Sequence, residues 1–205
     1  RSERKDELDE FTLASYKEDL AWQEASVAEM ESRFDRADLT ESEQLSYDLW
    51  KYSYEQSAAS EAYFYNGLVF DQMNGLHSFV PTFFINFHTV ESVSDFEALV
   101  ARLNLVKPRM MDALDIARES SERGVVVPYF AMEGVADQSR KIISGQPFDA
   151  EADTDSAIWA DVQRKIAGLL ESDLLTEEEA SALQTEARDA LLSSFGPAYE
   201  AIIAW

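Results

Sequence analysis

The side chains of this sequence that could do chemistry are few in kind: two histidines, His77 and His88, no cysteine, and 40 aspartates and glutamates. A zinc hydrolase of the H-E-x-x-H type needs two imidazoles one helical turn apart with a glutamate base between them. His77 and His88 are eleven positions apart and neither is followed by glutamate. Di-iron bundles need Glu-x-x-His pairs on two helices, whereas His88-Thr89-Val90-Glu91 has the reverse order in what reads as a loop. The absence of cysteine removes disulfides, thiol nucleophiles and zinc-thiolate sites, and leaves the redox compartment open. No G-x-S-x-G elbow and no G-x-x-x-x-G-K phosphate loop occurs. His77 and His88 therefore stand only as candidates for a polar site, with packing among aromatics against a backbone partner favoured over a shared metal. No catalytic residue and no metal ligand is assigned to this chain.

The histidines lie in an unusual segment, DQMNGLHSFVPTFFINFHTV, residues 71–90. The chain has 40 acidic and 17 basic residues, a formal charge of −23, yet no charged residue occurs between Asp71 and Glu91. The segment reads as a buried crossover between helical hairpins, where an unpaired charge would cost several kcal/mol of desolvation. Gly75 would let the backbone turn, and Pro81 would begin a short helix. It is not a membrane span, because Gln72, Asn74, His77, Ser78, Asn86 and His88 would have to enter hydrocarbon. The acidic excess argues against nucleic acid, whose binding needs a Lys/Arg surface, and against an anionic membrane surface. The acid-rich stretch from Asp149 to Asp189 reads as a solvated face.

The elements that must position these residues are helical. With 205 residues and 46% apolar content the chain can bury roughly 70% of its unfolded surface. Seven glycines and five prolines favour long regular elements. Leu13, Tyr16, Leu20, Val27, Met30 and Phe34 form one stripe of a first helix. Thr40-Glu41-Ser42-Glu43 is a capping box opening a second helix to about Tyr65, with Leu45, Leu49, Tyr52, Ala59 and Tyr63 as its buried stripe. The short polar turn between them predicts an antiparallel pair. Ser94-Asp95-Phe96-Glu97 repeats the box and starts a helix with Phe96, Leu99, Val100 and Leu103 on one face. Pro108 suits the first turn of the next helix, which carries Met110, Met111, Leu114 and Ala117 and stops at Gly124.

VVVP at 125–128 is a connector, and a helix over 129–144 should stop at Gly145. QPFDAEADTDS is a polar loop, and residues 146–155 are the candidate internal boundary of an otherwise single helical region, 1–205. Ile158, Trp159, Val162, Ile166 and Leu169 mark the following helix. Thr176-Glu177-Glu178-Glu179 caps the last one, which Gly196-Pro197 should kink or split. The predicted fold is all-α: a bundle or array of antiparallel helices, about seven to nine of them by period, with no significant sheet. Aromatic-rich SYDLWKYSYEQ and AYFYNG read as core at helical spacing, with a ligand groove as the other possibility.

Four stretches resemble the bacterial domain-of-unknown-function 885 family, large helical proteins that look like zinc-dependent peptidases. They are LTESEQLSYDLWKYSYE; DQMNGLHSFVPTFFINFHTVESVSDFEALVARL; the following helix with GVVVP; and GPAYEAIIAW, together spanning most of 38–205. Gln72, Gly75, Pro81 and Arg102 stand in family-like places, with a structural role. The resemblance implies a catalytic H-E-x-x-H-like motif and its zinc in a carboxy-terminal half beyond Trp205, so no ligand or base carries over here. It also implies an exported protein, periplasmic or lipid-anchored. Arg1 opens the chain without methionine, as in a processed or trimmed product, and the apolar end AIIAW reads as folded back or as continuing.

Three functional readings follow. The favoured one is a non-catalytic amino-terminal portion that forms one wall of a peptide-substrate cleft, its partner being the remaining half of the same polypeptide. The second is a self-contained helical binding or scaffold protein. The third is a carboxylate-rich metal enzyme in its own right.

Overall fold

The computed structural model describes residues 4–205 and is all-α, with no strand among the described residues beyond one isolated parallel bridge between Gln146 and Asp155. Two compact units emerge: residues 10–67, and residues 4–9 together with 68–205.

Residues 10–67 form a helical hairpin of α1 (Leu13–Arg33) and α2 (Glu41–Ser60), with a 3-10 turn at Arg36–Asp38 between them and another at Glu61–Asn66. Thr12 caps α1 in a box with Ser15, and the predicted Thr40 box opens α2. There the Glu43 carboxylate accepts from the Thr40 amide at 2.8 Å and the Thr40 hydroxyl at 2.7 Å. The helices run antiparallel, as expected. Tyr16 donates to the Ser57 carbonyl near the open end, Trp22 meets Trp50 edge-on, and Arg36 grips Asp48 through two hydrogen bonds at the closed end.

The buried stripe of α2 differs from expectation. Gln44, Tyr47, Trp50, Tyr54, Ser57 and Ala58 are the half-buried positions, whereas Leu45, Leu49 and Tyr52 are 60%, 56% and 57% exposed. Ala59 and Tyr63 are exposed as well. The helix carries two apolar stripes, and sequence period alone does not say which one meets α1.

The larger unit holds α3 (Leu76–Asn86), α4 (Val93–Glu122), α5 (Tyr129–Ile142) and α6 (Ala157–Glu171). It ends in a rod made of α7 (Glu177–Ala190), a π-helical turn at Leu191–Phe195 and α8 (Gly196–Ala204). Its core comprises Phe96, Leu99, Leu103, Val106, Met110 and Leu114 of α4 against Ile158, Val162, Leu191, Phe195 and Tyr199. Thr176 forms its capping box, and Gly124 and Gly145 take positive φ just beyond α4 and α5. The polar loop after Gly145 lies within this unit, held by Gln146 N–H to the Thr154 carbonyl and Ser156 N–H to the Gln146 carbonyl.

Two prolines depart from the sequence reading. Pro108 does not begin a helix. It lies inside the unbroken α4, whose cap is Ser92 rather than Ser94. Pro81 lies inside α3, which starts five residues earlier at Leu76. A proline inside a helix removes the N–H that would bond the carbonyl four residues back, here those of Asn104 and His77. Both carbonyls are met by hydroxyls from the terminal rod. Ser194 Oγ donates to the Asn104 carbonyl at 3.0 Å and accepts the Lys107 amide at 2.9 Å. Tyr199 OH donates to the His77 carbonyl at 2.7 Å. The π-turn carries Ser194 itself, as such turns often carry a specialised position. This is why Gly196-Pro197 does not break the rod: the extra-wide turn precedes it, and Pro197 sits at the start of α8, where its missing N–H costs little.

Candidate functional site

The charge-free segment builds two buried polar networks, one around each histidine. In the first, the Asp71 carboxylate accepts the amides of Met73 and Asn74 in a tight turn, and the Gly75 amide returns to the Asp71 carbonyl. A Cβ on Gly75 would lie 2.6 Å from that carbonyl oxygen and 2.6 Å from His77 Nδ1, so only glycine fits. His77, fully buried, meets Gln138 Oε1 through Nε2 at 2.7 Å. The Gln138 amide nitrogen donates to the Gln72 carbonyl at 3.0 Å, which leaves its oxygen as the acceptor and places the imidazole proton on Nε2. Nδ1 is buried without a hydrogen-bond partner. Burial pushes the His77 pKa down, and the ring is neutral.

In the second network His88 Nε2 donates to the Asp95 carbonyl at 2.9 Å, and Nδ1 accepts from the Arg102 guanidinium at 2.9 Å. Burial again pushes the pKa down, and Arg102 adds to the effect. Arg102 also lies over the Phe83 ring, 5.1 Å from its centroid, and donates to the carbonyls of Glu7 and Arg4. Lys5 adds an ion pair to Asp95 at 2.5 Å and, with other hydrogen bonds, holds that carboxyl at about 2. With Arg109 Nε on the Leu8 carbonyl, these contacts tie residues 4–9, a turn at 4–6 followed by irregular chain, down as a strap.

The four family-pattern residues are thus brought into these networks or beside them: Gln72 and Gly75 around His77, Pro81 above the His77 carbonyl, and Arg102 on His88. His77 and His88 themselves occupy separate networks. Among the described residues no group of three or more His, Asp or Glu side chains is arranged to hold a metal ion. Both ring nitrogens of His88 are engaged and His77 Nδ1 faces the Gly75 backbone, so this chain's imidazoles do not fit zinc. The segment is also less buried than its composition suggests, since Met73, Phe79 and Phe87 are exposed.

A third buried polar group is absent from the sequence reading. Asp161 and Lys165 of α6 pair at 2.6 Å, Arg164 also reaches Asp161, and Lys165 Nζ donates to the Phe84 carbonyl near the end of α3 at 2.6 Å. Burial pulls the Lys165 pKa below the ordinary lysine value, against the opposing pull of Asp161. The signal was present: acid and base at i, i+4 beside the Ile158–Val162–Ile166 stripe. In the hairpin, Met30, Phe34, Leu39, Ser42, Ser46 and Tyr47 line an open cleft of about 370 Å³ at the closed end.

These are packing devices with polar centres, and comparison with known proteins agrees with the residue pattern. The family described as "Bacterial protein of unknown function (DUF885)" matches residues 1–205. The chain belongs to that family. None of the curated proteins matches this DUF885 chain. Among solved structures it is similar to "The crystal structure of the putative lipoprotein from Colwellia psychrerythraea", with a TM-score of 0.67 at 12% identity. That likeness covers 98% of this chain and 34% of the other, so the DUF885 chain spans about a third of the length of that solved protein and shares its fold over that third. No helix among the described residues is long and apolar enough to cross a membrane.

Proposed function

We propose that this DUF885 chain is the non-catalytic amino-terminal helical portion of a zinc-dependent, peptidase-like protein, and that it forms one wall of a peptide-binding cleft. The observation that supports this most is one of proportion: 98% of the chain aligns with 34% of a much longer protein, sharing its fold over that part. The polar centres of this portion are spent on proline gaps, helix ends and the amino-terminal strap, which suits a supporting wall. In this reading zinc and its general base belong to the remaining half of the polypeptide, which is also the partner of this chain. No residue of this chain is assigned a step through the metal. The description of the Colwellia protein and the absence of a spanning helix among the described residues fit an exported or lipid-anchored protein, and we place it in the periplasm.

The test compares this chain with the longer polypeptide that contains it. The longer protein is expected to bind zinc by elemental analysis and to cleave quenched peptides, losing both on chelation. This chain alone is expected to do neither. Stoichiometric zinc or peptide cleavage by these 205 residues, or an inert and metal-free longer protein, would overturn the reading. The open cleft of the hairpin favours one alternative, a self-contained helical binding or scaffold protein. In that case a ligand would protect the hairpin from hydrogen exchange without any longer partner.

A further inference from the structure

The exposed stripe of α2 has the spacing of a coiled-coil seam. Leu45, Leu49, Tyr52, Gln56 and Ala59 follow one another at steps of four, three, four and three, which places them at d, a, d, a and d of a heptad. All five are exposed, on the side of α2 away from its half-buried Tyr47–Trp50–Tyr54 stripe. The two flanks of the seam are patterned too. The e row is Ser46, Ser53 and Ser60, and the g row is Glu41, Asp48 and Glu55, all exposed. Ser46 and Ser60 turn their hydroxyls onto the carbonyls of Ser42 and Gln56 in their own helix. They can therefore be covered without leaving an unpaired hydroxyl. Gln56 at an a position is the kind of polar residue that fixes register.

We infer that this face receives an amphipathic helix of a partner chain, with leucine-type residues at a and d and Lys or Arg on the flank that meets the acidic row. A second copy is the poorer occupant. Antiparallel pairing would set Glu41, Asp48 and Glu55 against their own copies, and parallel pairing would set them against serines with nothing to attract them. Asp48 is partly answered by Arg36, so Glu41 and Glu55 supply most of the charge preference. An anionic lipid surface meets the same acidic row and is repelled. The proposal does not depend on the peptidase reading.

The test uses two synthetic helical peptides of three heptads with leucine at a and d, one with lysine and the other with glutamate at e and g. Each is titrated against the 205-residue chain and followed by chemical-shift perturbation. The lysine peptide is expected to bind at least about tenfold tighter than the glutamate peptide and to weaken as salt is raised. The triple variant L45S/L49S/Y52S should lose that binding while keeping its helical circular dichroism, because all three side chains are exposed. Equal binding of both peptides, or lysine-peptide binding that survives the triple substitution, would overturn the inference. So would sedimentation showing that the chain dimerises through this seam.

Discussion

At the scale of single residues, the two histidines serve as neutral hydrogen-bonding groups. His88 holds Arg102 only while Nδ1 keeps a free lone pair. A proton there would set two cations face to face, with Lys5 and Lys165 adding to the repulsion. The folded pKa of both imidazoles lies below the ordinary value of 6.5, so the unfolded chain binds more protons as pH falls below that value. Their contribution is therefore complete above about pH 6.5 and is lost progressively on acidification towards the folded pKa. Urea midpoints should fall from pH 7 to pH 5, and His88→Asn should flatten part of that slope. Gly75→Ala is expected to cost about 1–3 kcal/mol, read from the same curves, because its Cβ would strike the Asp71 backbone as well as the buried His77 ring. Gly75 and Arg102 were legible as special positions. Their partners were not, since Arg102 finds the Arg4 carbonyl 98 positions away and His77 finds Gln138 61 positions away.

At the scale of elements, the terminal rod completes two other helices. Tyr199→Phe leaves the His77 carbonyl buried and unserved, a loss of about 1–3 kcal/mol. Pro81→Ala restores an N–H to that carbonyl, so the double variant should recover much of the loss. A double-mutant cycle measured by chemical denaturation checks this, and simple additivity would contradict it. Helix caps at Thr40 and Thr176 and stops at Gly124 and Gly145 could be read from sequence because they depend on neighbours within four residues. The proline positions could not, because the rule that puts proline in a first turn assumes an orphaned carbonyl goes unanswered, and here the answer arrives 90 and 122 residues later. The α2 stripe failed for another reason. Two apolar faces on one helix leave its period intact and its partner undetermined.

At the scale of the whole molecule, charge is the dominant quantity. A net charge of −23 on 205 residues opposes compaction by self-repulsion. Raising NaCl from about 0.1 M to about 1 M shortens the screening length from about 10 Å to about 3 Å. The melting temperature should therefore rise over that range, by calorimetry. A fall would show that the surface ion pairs, such as Lys51 with Glu31 and Arg36 with Asp48, outweigh the repulsion. The all-α class was legible from period and composition. Membership of DUF885 was legible from spaced residues that turn out to serve packing.

The hydroxyls supplied by Ser194 and Tyr199 also bear on how the chain is made. A polypeptide emerging from the ribosome offers α3 and α4 well before residues 194–199 exist, so their carbonyls at His77 and Asn104 go unanswered while the next 122 and 90 residues are added. Neither helix can reach its final stability in isolation, and the larger unit must wait for Ser194 and Tyr199 before it locks.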